Sequence, residues 1–323
     1  MDTPDTLNHL LDEAQGHAPE YRGGLSNHGP MALGALQRLG ADDARLRDFA
    51  RRYTARLTPL ADTAPPPDGP ALGEITHFGA WRSRLRAEIA AHGADAVLRA
   101  QLPRLMAGCG AAAFHGLIRT AYAVEARHDG ELAAGLAYWA ARHLPLGDAP
   151  APGDRPFEAW IAAVEAAVEP PSPNDGLIFE QMRRVAALPA FGAALAGLRR
   201  DDQTLATASR VAAERYLRTR DFTVLHLVTS AHALRVLMPW CDDADAALAH
   251  YATAFAAAWV ASAASARAAR PTFDDTLDWP AIVERAIASD NDHVIKLVHT
   301  CREEQAHRGD DRYRRVAALA VSG

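Results

Sequence analysis

This sequence predicts an all-α fold, a multi-helix bundle, and three observations predict it. Apolar residues recur at helical spacing along nearly the whole chain, no convincing series of alternating strands occurs, and proline-rich loops separate the apolar stretches. Met31, Ala32, Ala35, Leu36 and Leu39 form a stripe behind Pro30, which suits a first helical turn, and Gly40 can end that helix. Leu46, Phe49, Tyr53 and Leu57 repeat at the same spacing, as do Phe114, Leu117, Ile118, Ala121 and Tyr122. Segment 222–240, FTVLHLVTSAHALRVLMPW, carries Arg235 as its one charge, so its helix is expected to be buried on most sides. Residues 246–266 carry no charge but are mostly Ala and Ser around His250, which favours a tightly packed helix over a membrane span. In the last strong pattern, Val294, Leu297, Val298 and Cys301 make the apolar arc.

Proline-rich stretches at 59–70, 145–156 and 170–174 read as surface loops, and no repeat of fixed period occurs. One helical domain over residues 1–323 is the simplest organisation, with two helical halves meeting near 145–175 as the alternative. The net charge of −6 is spread along 323 residues without a basic stripe, which argues against a nucleic-acid partner. Three cysteines, Cys109, Cys241 and Cys301, have no metal or redox spacing and read as free thiols of a reducing compartment. The acidic start MDTPDTLNHLLDEAQ lacks an apolar signal core, so a cytoplasmic location is expected. Neither GxGxxG nor a P-loop occurs, so no flavin, NAD or nucleotide motif is present.

Histidine is the recurring polar residue in apolar helical segments: His28, His115, His226, His232 and His293. Each alone is most simply a hydrogen-bonded core or capping residue. Together they suggest helices that each send one ligand inward, with a metal site between helices. His226 and His232 are six positions apart, about 120° around a straight helix, which disfavours one shared metal. Lys296 is the single lysine beside thirty-three arginines. Periodicity turns it away from the apolar arc, toward a solvent-exposed pair with Asp292, and places His293 three residues before it. Glu125 and His128 form a Glu-x-x-His step, but a di-iron site needs two such steps with two further glutamates, so this one is a weak signal. DDTLD, Asp274 to Asp278, resembles a magnesium–diphosphate motif, yet it reads better as a capped turn before a helix.

The segments SNHGPMALGALQRLGA, FHGLIRTAYAVEARHDGELAAGLAYWA, LHLVTSAHALRVL and DHVIKLVHTCRE together resemble the questin oxidase-like family, over about residues 20–305. That resemblance implies an all-helical oxygenase that oxidises or ring-opens an anthraquinone-like aromatic polyketide with dioxygen. It implies a mononuclear non-haem iron held by histidines and a carboxylated lysine. Carried onto this chain, the ligands are His28, His115, His232, His293 and Lys296, with His226 as the alternative to His232 or a support for a ligand. His299 falls outside that set. Arg119 and Tyr122 are candidate pocket residues, as are Phe114 and Trp240, although each is equally explained by the core or by a salt bridge. The expected partner is a small aromatic molecule, with no membrane. Two other classes stay open on residues alone: a non-catalytic helical protein with structural histidines, and a di-iron or isoprenoid-type helical enzyme.

Overall fold

The computed structural model describes residues 3–61, 66–172, 176–263 and 271–322. Parts of the proline-rich stretches at 59–70 and 170–174, and the end of the uncharged 246–266 segment, lie outside the described residues. The described chain is all-α. Its helices are α1 (Thr3–Ala14), α2 (Gly29–Leu39), α3 (Asp43–Thr54), α4 (Phe78–His92), α5 (Ala94–Met106), α6 (His115–Ala126), α7 (Asp129–Ala141) and α8 (Phe157–Ala167). They continue as α9 (Ile178–Ala186), α10 (Pro189–Ala194), α11 (Thr204–Thr219), α12 (Phe222–Leu237), α13 (Ala244–Ala261), α14 (Trp279–Ala288), α15 (Asp292–Arg308) and α16 (Arg312–Ala320). Strand structure among the described residues is confined to short pieces, including the antiparallel pair Glu20–Tyr21 and Leu25–Ser26.

Local chemistry sets several boundaries. Pro30 sits in the first turn of α2, and Gly40 ends it with φ 99°, a left-handed conformation that glycine takes without a Cβ clash. Asp278 caps α14 by accepting from the Ala281 amide, while the Asp274 carboxylate accepts from Thr276. DDTLD is therefore built into a turn and a cap. His128, from the Glu-x-x-His step, caps α7 by accepting from the Glu131 amide, so it is turned to a different task from Glu125. The uncharged stretch of α12 is buried from Val224 to Leu234.

Four helices frame the centre. Helix α2 packs on α6, α6 on α12, α12 on α15, and α15 on α2, closing a ring. Their starts meet at one end, where His28, His115, His226 and His293 are in contact. Further along, Arg38 reaches Glu125 and His232 faces His299. The four helices therefore run in the same direction, and the other helices supply the returns. One hydrophobic cluster extends from Leu7 to Ala320 around this ring. No helix among the described residues is long and apolar enough to cross a membrane. All three cysteines are free.

Candidate metal centre

His28 immediately precedes α2 and His115 opens α6, while His226 lies in the second turn of α12 and His293 in the first turn of α15. Ring centroids lie 4.6 Å apart for His28–His115, 4.5 Å for His28–His293, 4.9 Å for His115–His226 and 5.7 Å for His226–His293. One ligand nitrogen from each of His28, His115 and His293 falls within 4.8 Å of the others.

The far side of each ring settles its tautomer. Nδ1 of His28 donates to Asp292 Oδ1 at 2.9 Å, and Nδ1 of His293 donates to the same oxygen at 2.7 Å. Nδ1 of His226 donates to the Phe222 carbonyl at 2.8 Å, and Nδ1 of His115 donates to the Ala112 carbonyl. A carbonyl or an ionised carboxylate can only accept, so each neutral ring carries its proton on Nδ1 and leaves a lone pair on Nε2. Nε2 of His28 and Nε2 of His115 lie 2.7 Å apart, and Nε2 of His293 is buried without a hydrogen-bond partner. Two lone pairs at that distance repel unless a cation lies between or beside them. A proton does not serve well: burial, with Lys296 nearby, pushes His28 down to about 3, and burial holds His115 well below its usual value. Burial likewise lowers His226 and His293. Neutral imidazoles with Nδ1 fixed by oxygen acceptors are what a transition-metal ion selects.

Two further features hold this arrangement. Burial opposes ionisation of Asp292, but His28 and His293 hold its carboxyl far below the usual carboxylate range. Its second oxygen accepts from Arg56 at 2.9 Å. Before α6, Ala112, Ala113 and Phe114 take φ values of 46°, 57° and 68° in succession. Three consecutive side-chain-bearing residues in the left-handed region cost about 1–2 kcal/mol each, and such strain clusters at functional sites. The turn aims the Ala112 carbonyl at His115.

Lys296 corrects the expectation of an exposed ion pair. It is 2% exposed, and burial lowers its amine to about 8, partly offset by Asp292. Asp292 is turned to the two histidines and Arg56 instead. A cavity of about 170 Å³ opens onto His28, His115, His226 and His293, with walls from Tyr21, Leu25, Ala112, Ala113, Leu177, Ile178, Phe179 and Phe222. Leu25 and Phe222, on its wall, are the exposed large apolar residues among those described.

Five sequence candidates lie elsewhere. His232 is not in the four-histidine group: six residues beyond His226, it groups with Glu125 and His299. Arg119 is locked to Glu131 by two bonds of 2.5 and 2.9 Å and does not line the cavity. Tyr122 hydrogen-bonds His299 at 3.0 Å, and Trp240 donates to Asp95. Phe114 is wholly buried against Tyr251. Sequence reading missed Asp292 as the shared acceptor, the Ala112 carbonyl and the Phe222 wall. The adjacent Asp–His pair was the available signal for the first, and nothing in the sequence marked the second.

Fold and site together define an all-α protein with a buried polyhistidine group able to hold a metal ion. The profile of the questin oxidase-like family matches residues 25–218 and 202–301, and the chain belongs to that family. The family name denotes an oxidase. Comparison with curated proteins returns no match.

Proposed function

We propose that this chain is an iron-dependent oxygenase that oxidises or ring-opens an anthraquinone-like aromatic polyketide with dioxygen. The observation that carries the reading is the convergence of four Nδ1-protonated histidines beside the buried Lys296, at the end of a largely apolar cavity. Family membership supplies the oxidase character and the substrate class.

His28, His115, His226 and His293 would hold the iron through Nε2, with Lys296 as a fifth ligand after carboxylation. In that reaction the neutral Lys296 amine attacks carbon dioxide, a nitrogen–carbon bond forms, and one proton leaves to solvent. Burial favours the neutral amine that reacts. The starts of four helices point at this end of the ring, and their partial positive charge favours an anionic carbamate over an ammonium. Arginine offers no such chemistry. Bound iron(II) would supply dioxygen activation next to the substrate.

The chain's own residues do the rest. Asp292 and the Phe222 and Ala112 carbonyls fix the rings so that Nε2 faces inward. Tyr21, Phe179 and Phe222 offer flat apolar surface to an aromatic ring and exclude water from the reacting end. The test is anaerobic reconstitution with iron(II), followed by metal analysis and by dioxygen uptake with an anthraquinone-type phenol. Wild-type chain is expected to bind iron, and one equivalent should vanish in both His115→Ala and Lys296→Arg. Failure of the wild-type chain to take up any transition metal would sink the proposal.

A further inference from the structure

The second group lies further along the same four-helix ring, and the proposed oxygenase chemistry makes no use of it. Glu125 is in the last turn of α6, His232 is in α12 and His299 in α15, and one ligand atom from each falls within 4.8 Å of the others. The six-residue step from His226 to His232 matches that from His293 to His299, a rise of about 9 Å on each helix. Tyr122 lies between the two groups, its hydroxyl 3.0 Å from His299 Nδ1 and 3.4 Å from the Lys296 carbonyl.

The group differs from the first in one respect: burial opposes protonation of His232, but Glu125 and Glu304 raise it to about 9, so an ion bound there displaces a proton. His232 donates from Nδ1 to Glu304 Oε1 at 2.9 Å, and Glu304 is itself held by Arg235 at 2.6 Å and Arg308 at 2.7 Å. His299 places Nδ1 against the Tyr122 hydroxyl. The inward atoms are then His232 Nε2, His299 Nε2 and the Glu125 carboxylate. His232 Nε2, His299 Nε2 and Glu125 Oε2 are all buried without hydrogen-bond partners. His232 Nε2 stands 3.6 Å from Glu125 Oε1, beyond hydrogen-bond reach. A rival arrangement, in which a protonated His232 ion-pairs with Glu125 and Glu304, would still leave Glu125 Oε2 and His299 Nε2 without hydrogen-bond partners. An unpaired buried acceptor costs roughly 1–3 kcal/mol, so a ligand that meets all three atoms is the better account.

We propose that Glu125, His232 and His299 form a second metal site, taking a divalent transition ion of the zinc or iron(II) type. Two imidazoles and one carboxylate suit such ions and leave coordination positions open for water. Glu304 and Tyr122 orient the two imidazoles from behind. Glu125 also lines a surface pocket with Asn8, Gln37, Arg38 and Arg127, separate from the cavity at the four-histidine group. The site ties α6, α12 and α15 together, the helices that carry His115, His226, His293 and Lys296.

The test uses the full chain stripped of metal and titrated with Zn²⁺ by calorimetry, with far-ultraviolet circular dichroism as the control for folding. His28→Ala/His115→Ala, which removes two nitrogens from the other group, should retain one equivalent. Adding Glu125→Gln should weaken that equivalent by about tenfold or more. If the double variant loses its helical signal, the otherwise wild-type chain decides: two equivalents falling to one in Glu125→Gln supports the site. A folded double variant that binds no Zn²⁺, or binding that Glu125→Gln and His299→Gln both leave unchanged, overturns it. Neither outcome depends on oxygenase activity, so the two proposals fail separately.

Discussion

Asp292 shows how much of the candidate centre depends on residues that would not touch the metal. One carboxylate oxygen fixes the tautomer of both His28 and His293, and the other is tied to Arg56. Partners of this kind typically contribute 10–100-fold to metal affinity. Asp292→Ala is therefore expected to weaken iron(II) binding by about that factor while the ligating rings remain, as read by competition with a chelator. The two histidines of α12 make a sharper contrast. His226 is in ring contact with His115 and His293, whereas His232 is bonded to Glu304. His226→Ala should cost the equivalent that His115→Ala also costs, and His232→Ala should leave that equivalent bound. Metal analysis of the three variants reads this directly, and loss of the same equivalent in His232→Ala would reverse the proposed ligand choice. Sequence spacing placed the two rings about 120° apart. It could not say which faced the other helices, because α12 is buried all round and has no polar face to orient it.

Helix α6 is held by unusually close packing on α7. A Cβ built on Gly116 would lie 2.6 Å from the Trp139 Cα, and one on Gly135 would lie 2.9 Å from the Thr120 Cα. These are backbone contacts that cannot swing aside. Gly116→Ala should push the helices apart, lower stability by about 1–3 kcal/mol and displace His115, which is the preceding residue. Thermal unfolding and iron binding should both weaken, and an unchanged melting temperature would contradict the close approach. At this scale much was legible in the sequence. Pro30 and Gly40 bracket α2, and Asp278 caps α14, because each acts through local backbone chemistry. The turn before α6 was not legible. Ala112, Ala113 and Phe114 have no intrinsic preference for positive φ, so tertiary packing must impose it. Lys296 was misplaced for a related reason: helical period identifies the apolar arc, but a helix inside a ring is buried on its polar side as well.

Across the whole molecule, the parallel run of α2, α6, α12 and α15 sets the functional layout. Parallel neighbours need long returns, and the intervening helices provide them, packing around the ring in one continuous cluster from Leu7 to Ala320. We propose that the chain folds as one unit, including the region near residues 145–175 where two halves were the alternative. Calorimetry of the metal-free chain should give a single cooperative transition, and two separable transitions would favour the halves. Bringing the starts of four helices to one end also gathers their positive ends and their histidines beside the apolar cavity. The measurement that bears most directly on this account is a crystal structure of the chain loaded anaerobically with iron(II) in bicarbonate, with anomalous scattering recorded at the iron edge. The expected result is an anomalous peak within bonding distance of Nε2 of His28, His115, His226 and His293, with Lys296 carboxylated and directed at it. No peak at that position, or Lys296 turned away as a free amine, would contradict it.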